Sequence, residues 1–295
     1  MPGTSLDLQE LFEDPIVELA ELDPGFADHG SSVFCVRTAR EHVIARSFRA
    51  AGAGGSFWST LRALFGIDPR VASEAGATYA LLSETSPIPV PGLRRAAMAA
   101  GREWLVVELM SGAPLTSFAE LSDDGLRGLG RGLATIHRRR FDTLGSPSGS
   151  LRYPPADFPR RLAELFRKAA DADPANAAMA DEMSAAAAAL PPPEAGALVL
   201  PDIFPPQFLA RDGRVSAIVD LDAYVVGPRE LDLVGLECFL DDRGAAHVAR
   251  GYREIAELPA LEHVRRAYRY FLWVLDMNPS ALDVDRFMDL PSPFR

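Results

Sequence analysis

Two hydrophobic rhythms divide the chain. Val33-Phe34-Cys35-Val36, His42 to Phe48, Ala96 to Ala100 and Trp104 to Met110 are short, mainly apolar runs. Polar or glycine-bearing turns separate them, Thr38-Ala39-Arg40-Glu41 in one case and Gly101-Arg102-Glu103 in another, and this pattern predicts strands. From Phe118 onward the rhythm is helical. Asp123 to His137 carries Leu126, Leu129, Leu133 and Ile136 on one stripe, and further helices are predicted over 158–172, 177–189, 233–240, 245–255 and 260–275. Residues 58–65 and 71–82 also read as helices, and 5–23 has a loosely helical period broken at Pro15 and stopped by Asp23-Pro24-Gly25.

One segment combines both rhythms with a cluster of acids. Leu198 to Asp232 reads LVLPDIFPPQFLARDGRVSAIVDLDAYVVGPRELD. Pro205 and Pro206 stiffen its first loop. Phe208-Leu209-Ala210 and Val215 to Val219 flank Asp212-Gly213, which is a hairpin signal. A hairpin brings together the residues just outside its ends, so Asp202 and Gln207 on the incoming side meet Asp220 and Asp222 on the outgoing side. Oxygen donors converging in this way suit a hard cation such as Mg²⁺.

At 295 residues and 48% apolar content the chain can bury a large core in one or two lobes. No apolar run reaches the roughly 18 residues of a membrane span, and the acidic N-terminal stretch is not a secretory signal, so a cytoplasmic protein is expected. Cys35 and Cys238, far apart in apolar surroundings, read as free thiols. The net charge of −11 argues against a nucleic-acid partner; it suits a cationic small substrate and equally an ordinary acidic protein. Lys168 is the only lysine, so arginine carries nearly all positive charge. Internal repeats, zinc-ligand spacings, a P-loop and a nucleophile elbow are all missing from the sequence.

The order D-x-x-x-x-Q, hairpin, V-D-x-D, then G-P-x-x-x-D resembles the catalytic segment of aminoglycoside phosphotransferases and their relatives, the choline kinases and, more distantly, protein kinases. That segment reads roughly H-G-D-x-x-x-x-N in the family, where this chain has Leu200-Pro201 before Asp202 and Gln207 in place of Asn. The resemblance implies an α+β, two-lobed protein kinase-like fold, with a small antiparallel-sheet nucleotide-binding lobe over 1–110 and a mainly helical lobe over 111–295. It makes Asp202 the catalytic aspartate facing an acceptor hydroxyl, and Gln207 and Asp220 the metal ligands, with Asp222 touching a second metal or supporting Asp220. Arg46 takes the place of the strand cation that grips nucleotide phosphates, Glu74 that of the helix carboxylate pairing with it, and the loop bearing Gly30 and Ser31 that of a phosphate-covering turn. Trp104 to Leu115 resembles the hinge, where backbone groups of Glu108 and Met110 would meet the adenine edge.

Each of these positions also has an ordinary reading: a solvated strand arginine, a solvated helix glutamate, a simple turn, an edge strand. His137 is expected at a helix C-terminus, where positive charge is favoured, and Asp232 as a helix cap or a bond to the catalytic loop. The aromatics Tyr268, Tyr270, Phe271 and Trp273 read as core. The expected activity is transfer of phosphate from ATP or GTP, with Mg²⁺, to a hydroxyl of a small molecule such as an antibiotic or amino sugar. The alternative is a kinase-like protein that binds nucleotide or a metabolite without turnover, motivated by the changes at Leu200-Pro201 and Gln207.

Overall fold

The structure, a computed structural model, describes residues 8–22, 31–48, 56–172, 174–278 and 282–294. Its N-terminal part is an antiparallel sheet of β1 (Glu18–Glu21), β2 (Ser31–Arg37), β3 (His42–Phe48), β4 (Leu93–Ala99) and β5 (Arg102–Glu108), in the order β1-β2-β3-β5-β4. The runs expected as strands of this sheet form strands, but β4 stops at Ala99 and β5 at Glu108, short of the expected Ala100 and Met110. β1 falls inside the stretch read as helical: Glu18 to Glu21 pair with Phe34 to Arg37, so an open sheet edge overrides a weak local period.

Two-residue alternation sorts this sheet's faces. Val43, Ala45, Trp104 and Val106 face outward and pack on Leu8, Leu11 and Phe12. Ile44, Leu105 and Val107 face the opposite way, toward the main core, with α1 (Ser56–Phe65) and α2 (Ala72–Thr85). Arg46 shares the parity of Ile44 and therefore points inward from the sheet, where it is buried.

After β5 the chain crosses to the helical part through β6 (Ala113–Pro114), followed by α3 (Asp123–His137), β7 (Leu144–Gly145), β8 (Arg152–Tyr153), α4 (Phe158–Ala172) and α5 (Ala177–Ala188). β9 (Ala197–Val199) leads to the hairpin β10 (Phe208–Arg211) and β11 (Arg214–Ile218), then β12 (Val225–Gly227). The helices α6 (Glu230–Glu237), α7 (Asp242–Arg253), α8 (Arg265–Val274) and α9 (Val284–Met288) complete it. α3 keeps the boundaries read from its stripe, with Ser122 capping the Gly125 amide at 3.0 Å. α3 and α7 approach so closely that a Cβ on Gly130 would overlap the Val248 carbonyl, and one on Gly251 the Arg127 carbonyl. The aromatic helix α8 is core, as expected, with Tyr268, Tyr270 and Phe271 buried.

Candidate active site

The hairpin is built as its sequence specifies. Asp212 and Gly213 turn with φ of 52° and 71°, the left-handed pair that a two-residue turn needs to follow strand twist. The Gly213 carbonyl accepts from the Ser122 amide at 2.9 Å, which fixes the tip to the start of α3. At the open end, the Val219 amide donates to the Gln207 carbonyl at 2.8 Å and holds the incoming and outgoing chains together. β10 also pairs with β6, and Ser216 Oγ donates to the Ser111 carbonyl at 2.7 Å, so the crossing from the sheet is seated on the same hairpin.

Asp202 lies on the incoming loop. Its carbonyl accepts from the Phe204 amide at 2.8 Å, and its Oδ2 accepts from Gln207 Nε2 at 2.5 Å. Burial and the neighbouring negative charge of Asp220 push the Asp202 carboxyl up to about 8, against the opposite pull of the Gln207 hydrogen bond. On the outgoing side Asp220 adopts left-handed φ and ψ of 57° and 60°, and a short turn over Leu221–Ala223 follows. That reversal directs two carboxylates at one guanidinium: Arg46 Nη2 lies 2.6 Å from Asp220 Oδ1 and 2.9 Å from Asp222 Oδ2. Burial alone would lower the Arg46 pKa, but Asp220 and Asp222 more than offset it and the guanidinium is held charged. Burial pushes Asp222 up to about 6, with Arg46 pulling it down and Asp220 pushing it up. Tyr79 of α2 lies beside Arg46 as well, a neighbour the sequence gave no signal for; burial raises its hydroxyl pKa.

The loop that carries Asp202 is braced from beneath. Asp232 Oδ1 accepts from the Leu200 amide at 2.7 Å, and Oδ2 lies 3.0 Å from His137 Nε2, whose Nδ1 is 3.0 Å from the Tyr252 hydroxyl. Asp232 thus does the loop-bonding work that was one of its two readings. His137 does end α3, but as a buried link in this chain of bonds rather than as an exposed cap.

Two expected arrangements are replaced by others. Glu74 does not pair with Arg46; its Oε2 accepts from Ser148 Oγ at 3.0 Å and Ser150 Oγ at 2.9 Å. The first turn of α2 presents it to that loop, while carboxylates from the other side of the hairpin already neutralise Arg46. At the crossing, the Glu108 amide is taken by the Gly92 carbonyl at 2.9 Å, because the residue still belongs to β5. The Met110 backbone makes no hydrogen bond among the described residues and remains open. The carboxylates of Asp202, Asp220 and Asp222 do not form an ion cage: among the described residues no three His, Cys, Asp or Glu are placed to share a metal, since Arg46 lies between two of them. The donors are nonetheless oxygens of the kind Mg²⁺ takes. The Asp220 side chain is 43% exposed, and Asp222 Oδ1 is buried without a hydrogen-bond partner. Ser31 opens β2 opposite Phe48. Gly30 lies outside the described residues, and no helix among those residues is long and apolar enough to cross a membrane.

The sequence profile described as the phosphotransferase enzyme family matches residues 33–268. No curated protein matches the sequence significantly. Solved structures with the same fold include a macrolide 2'-phosphotransferase from Brachybacterium faecium, 17% identical with a TM-score of 0.60 and 94% of each chain covered. A thermostable mutant of aminoglycoside phosphotransferase APH(4)-Ia, in ternary complex with AMP-PNP and hygromycin B, is 16% identical with a TM-score of 0.61, covering 93% of this chain and 89% of that one. The GDP and kanamycin complex of APH(2")-IIia is 15% identical with a TM-score of 0.64, covering 94% and 89%. The likeness establishes the two-lobed kinase-like fold.

Proposed function

The chain belongs to the phosphotransferase enzyme family, and from that premise we propose that it transfers the γ-phosphate of ATP or GTP to a hydroxyl of a small molecule. The observation that carries this reading is the meeting of Asp202, Gln207, Asp220 and Arg46 around the open end of one hairpin, through a hydrogen bond of 2.5 Å and an ion pair of 2.6 Å. The nucleotide-bound relatives of the same fold favour a nucleotide co-substrate.

Phosphoryl transfer asks for positioning and charge neutralisation more than for covalent help. In the proposed mechanism the nucleotide lies under the sheet, with its base edge at the open Met110 backbone and its phosphates gripped by Arg46. The division into a nucleotide lobe and a helical lobe then falls at the crossing after Glu108. Asp220 and the Oε1 of Gln207 are the groups that would hold Mg²⁺, whose chemistry when bound is to neutralise phosphate oxygens. Asp202 orients the acceptor hydroxyl and takes its proton as the new O–P bond forms and the bond to the β-phosphate oxygen breaks. The ionised carboxylate is the form that takes this proton, and burial together with Asp220 raises its affinity for it.

Support comes from incubating the protein with Mg-ATP or Mg-GTP and a panel of amino-sugar, macrolide and nucleoside acceptors. The expected result is nucleoside diphosphate release that depends on one acceptor, with that acceptor gaining a phosphate. The second reading, nucleotide binding without turnover, draws on the Gln207 bond that occupies Asp202 Oδ2. It predicts nucleotide binding with no acceptor-dependent diphosphate.

A further inference from the structure

The two carboxylates on Arg46 are unequal. The Asp220 side chain is 43% exposed and stands on a left-handed residue at the rim of the hairpin. The Asp222 side chain is 9% exposed, one turn further on, and faces a guanidinium that is itself only 10% exposed. Tyr79 lies beside the same guanidinium. Glu74, in the first turn of the same helix, is spent on Ser148 and Ser150.

We propose that Asp222 is the positioning residue that seats Arg46 for the phosphates of a nucleotide, leaving Asp220 free to exchange the guanidinium for an incoming cation. The proposal rests on the nucleotide-dependent reading above. An exposed ion pair is worth little and swaps partners at small cost. A buried one does not: separating Asp222 from Arg46 strands a desolvated charge with one oxygen already unpartnered. Of the two contacts, the one to Asp222 is therefore the lasting one. It also comes from the chain beyond the crossing at Met110, so the carboxylate that seats the cation of the sheet is supplied from beside the hairpin and not by α2 of its own half.

The test uses the full chain with Arg46→Met, Asp222→Asn, Asp220→Asn and Glu74→Gln, singly and combined. In urea unfolding of the nucleotide-free protein, Asp222→Asn should rescue Arg46→Met, because the double variant strands no charge. The expected rescue is about fivefold or more in the unfolding constant, with Asp220→Asn and Glu74→Gln giving none beyond about twofold. In calorimetric titration with ADP and GDP, Asp222→Asn should weaken binding about tenfold, Asp222→Glu should recover part of it, and Glu74→Gln should stay within about twofold of wild type. Rescue of Arg46→Met by Glu74→Gln in place of Asp222→Asn overturns the proposal. So does an Asp222→Asn variant that binds nucleotide like the wild type. If the wild type binds neither ADP nor GDP, the nucleotide reading itself falls, while the rescue experiment still decides what seats Arg46.

Discussion

Replacing Asp232 by alanine should unfasten the loop that carries Asp202 and lower stability well beyond what a surface change does. In the native protein this carboxylate is 1% exposed and serves two donors, the Leu200 amide at 2.7 Å and His137 Nε2 at 3.0 Å. His137 is 1% exposed and Leu200 is fully buried, so water cannot take over either bond. Each orphaned buried donor costs about 1–3 kcal/mol, and removing one member of a buried charged network costs about 3–5 kcal/mol. We therefore expect about 3–5 kcal/mol for Asp232→Ala. Asp232→Asn keeps an oxygen for the Leu200 amide, and its new N–H₂ can donate to His137 once the imidazole proton moves to Nδ1 and is given to Tyr252. That variant should lose only about 1–2 kcal/mol. Urea unfolding followed by tryptophan fluorescence, with Trp58, Trp104 and Trp273 as reporters, measures both. At a slope of ~3 kcal/mol per molar, the alanine midpoint falls by about 1 M or more. An Asp232→Ala protein within about 0.5 kcal/mol of wild type, or equal to the asparagine variant, would refute the idea that this network braces the loop.

Because the folded Asp202 carboxyl is raised to about 8 from an unfolded value near 4, the native state holds the extra proton between those limits. Its contribution is fully present below about pH 4 and is lost as pH rises toward about 8; Asp222, raised to about 6, adds to the loss in the lower part of that window. The urea midpoint of wild type relative to Asp202→Asn should accordingly fall from pH 5.5 to pH 8, and a difference independent of pH would contradict the assignment. Gly251→Ala should cost about 1–3 kcal/mol in the same assay, because its Cβ meets the backbone of Arg127 and not a side chain that can move aside; an unchanged midpoint would show that α3 and α7 have room to part. Arg269 is buried and donates to the carbonyls of Met288, Leu290 and Pro291 while facing Glu237. Arg269→Met should therefore release residues 282–294 to limited proteolysis, with about 3–5 kcal/mol lost, and an unaltered digestion pattern would count against that clamp.

What the sequence made legible follows its local signals. The turn residues Asp212-Gly213 fixed the hairpin, and the hairpin alone brings Gln207 to Val219 and hence Asp202 to Asp220. The leucine stripe and Ser122 fixed α3. Strand β1 was missed because its acids and leucine carry no two-residue rhythm; only the unpaired edge of β2 makes it extended. The partner of Arg46 was misassigned for a related reason. Whether a buried arginine meets an acid from its own half or from the opposite one depends on how the two halves close, and Glu74 and Asp222 look alike as isolated residues. The Glu108 amide was expected to be open because the end of β5 was placed two residues too late, at Met110 rather than Glu108. The Asp232–His137–Tyr252 chain links three helices, and of its members only the Asp232 contact to the loop was readable from its place after Gly227-Pro228.

The proposed activity stands or falls on the carboxylate of Asp202 acting on an acceptor hydroxyl. Single-turnover phosphoryl transfer, followed by phosphorus NMR in wild type and Asp202→Asn with nucleotide and acceptor both saturating, tests it directly. The prediction is a γ-phosphate signal that moves onto the acceptor in the wild type and stays on the nucleotide in the variant, with nucleotide affinity within about threefold. Transfer at an equal rate in both proteins would contradict it.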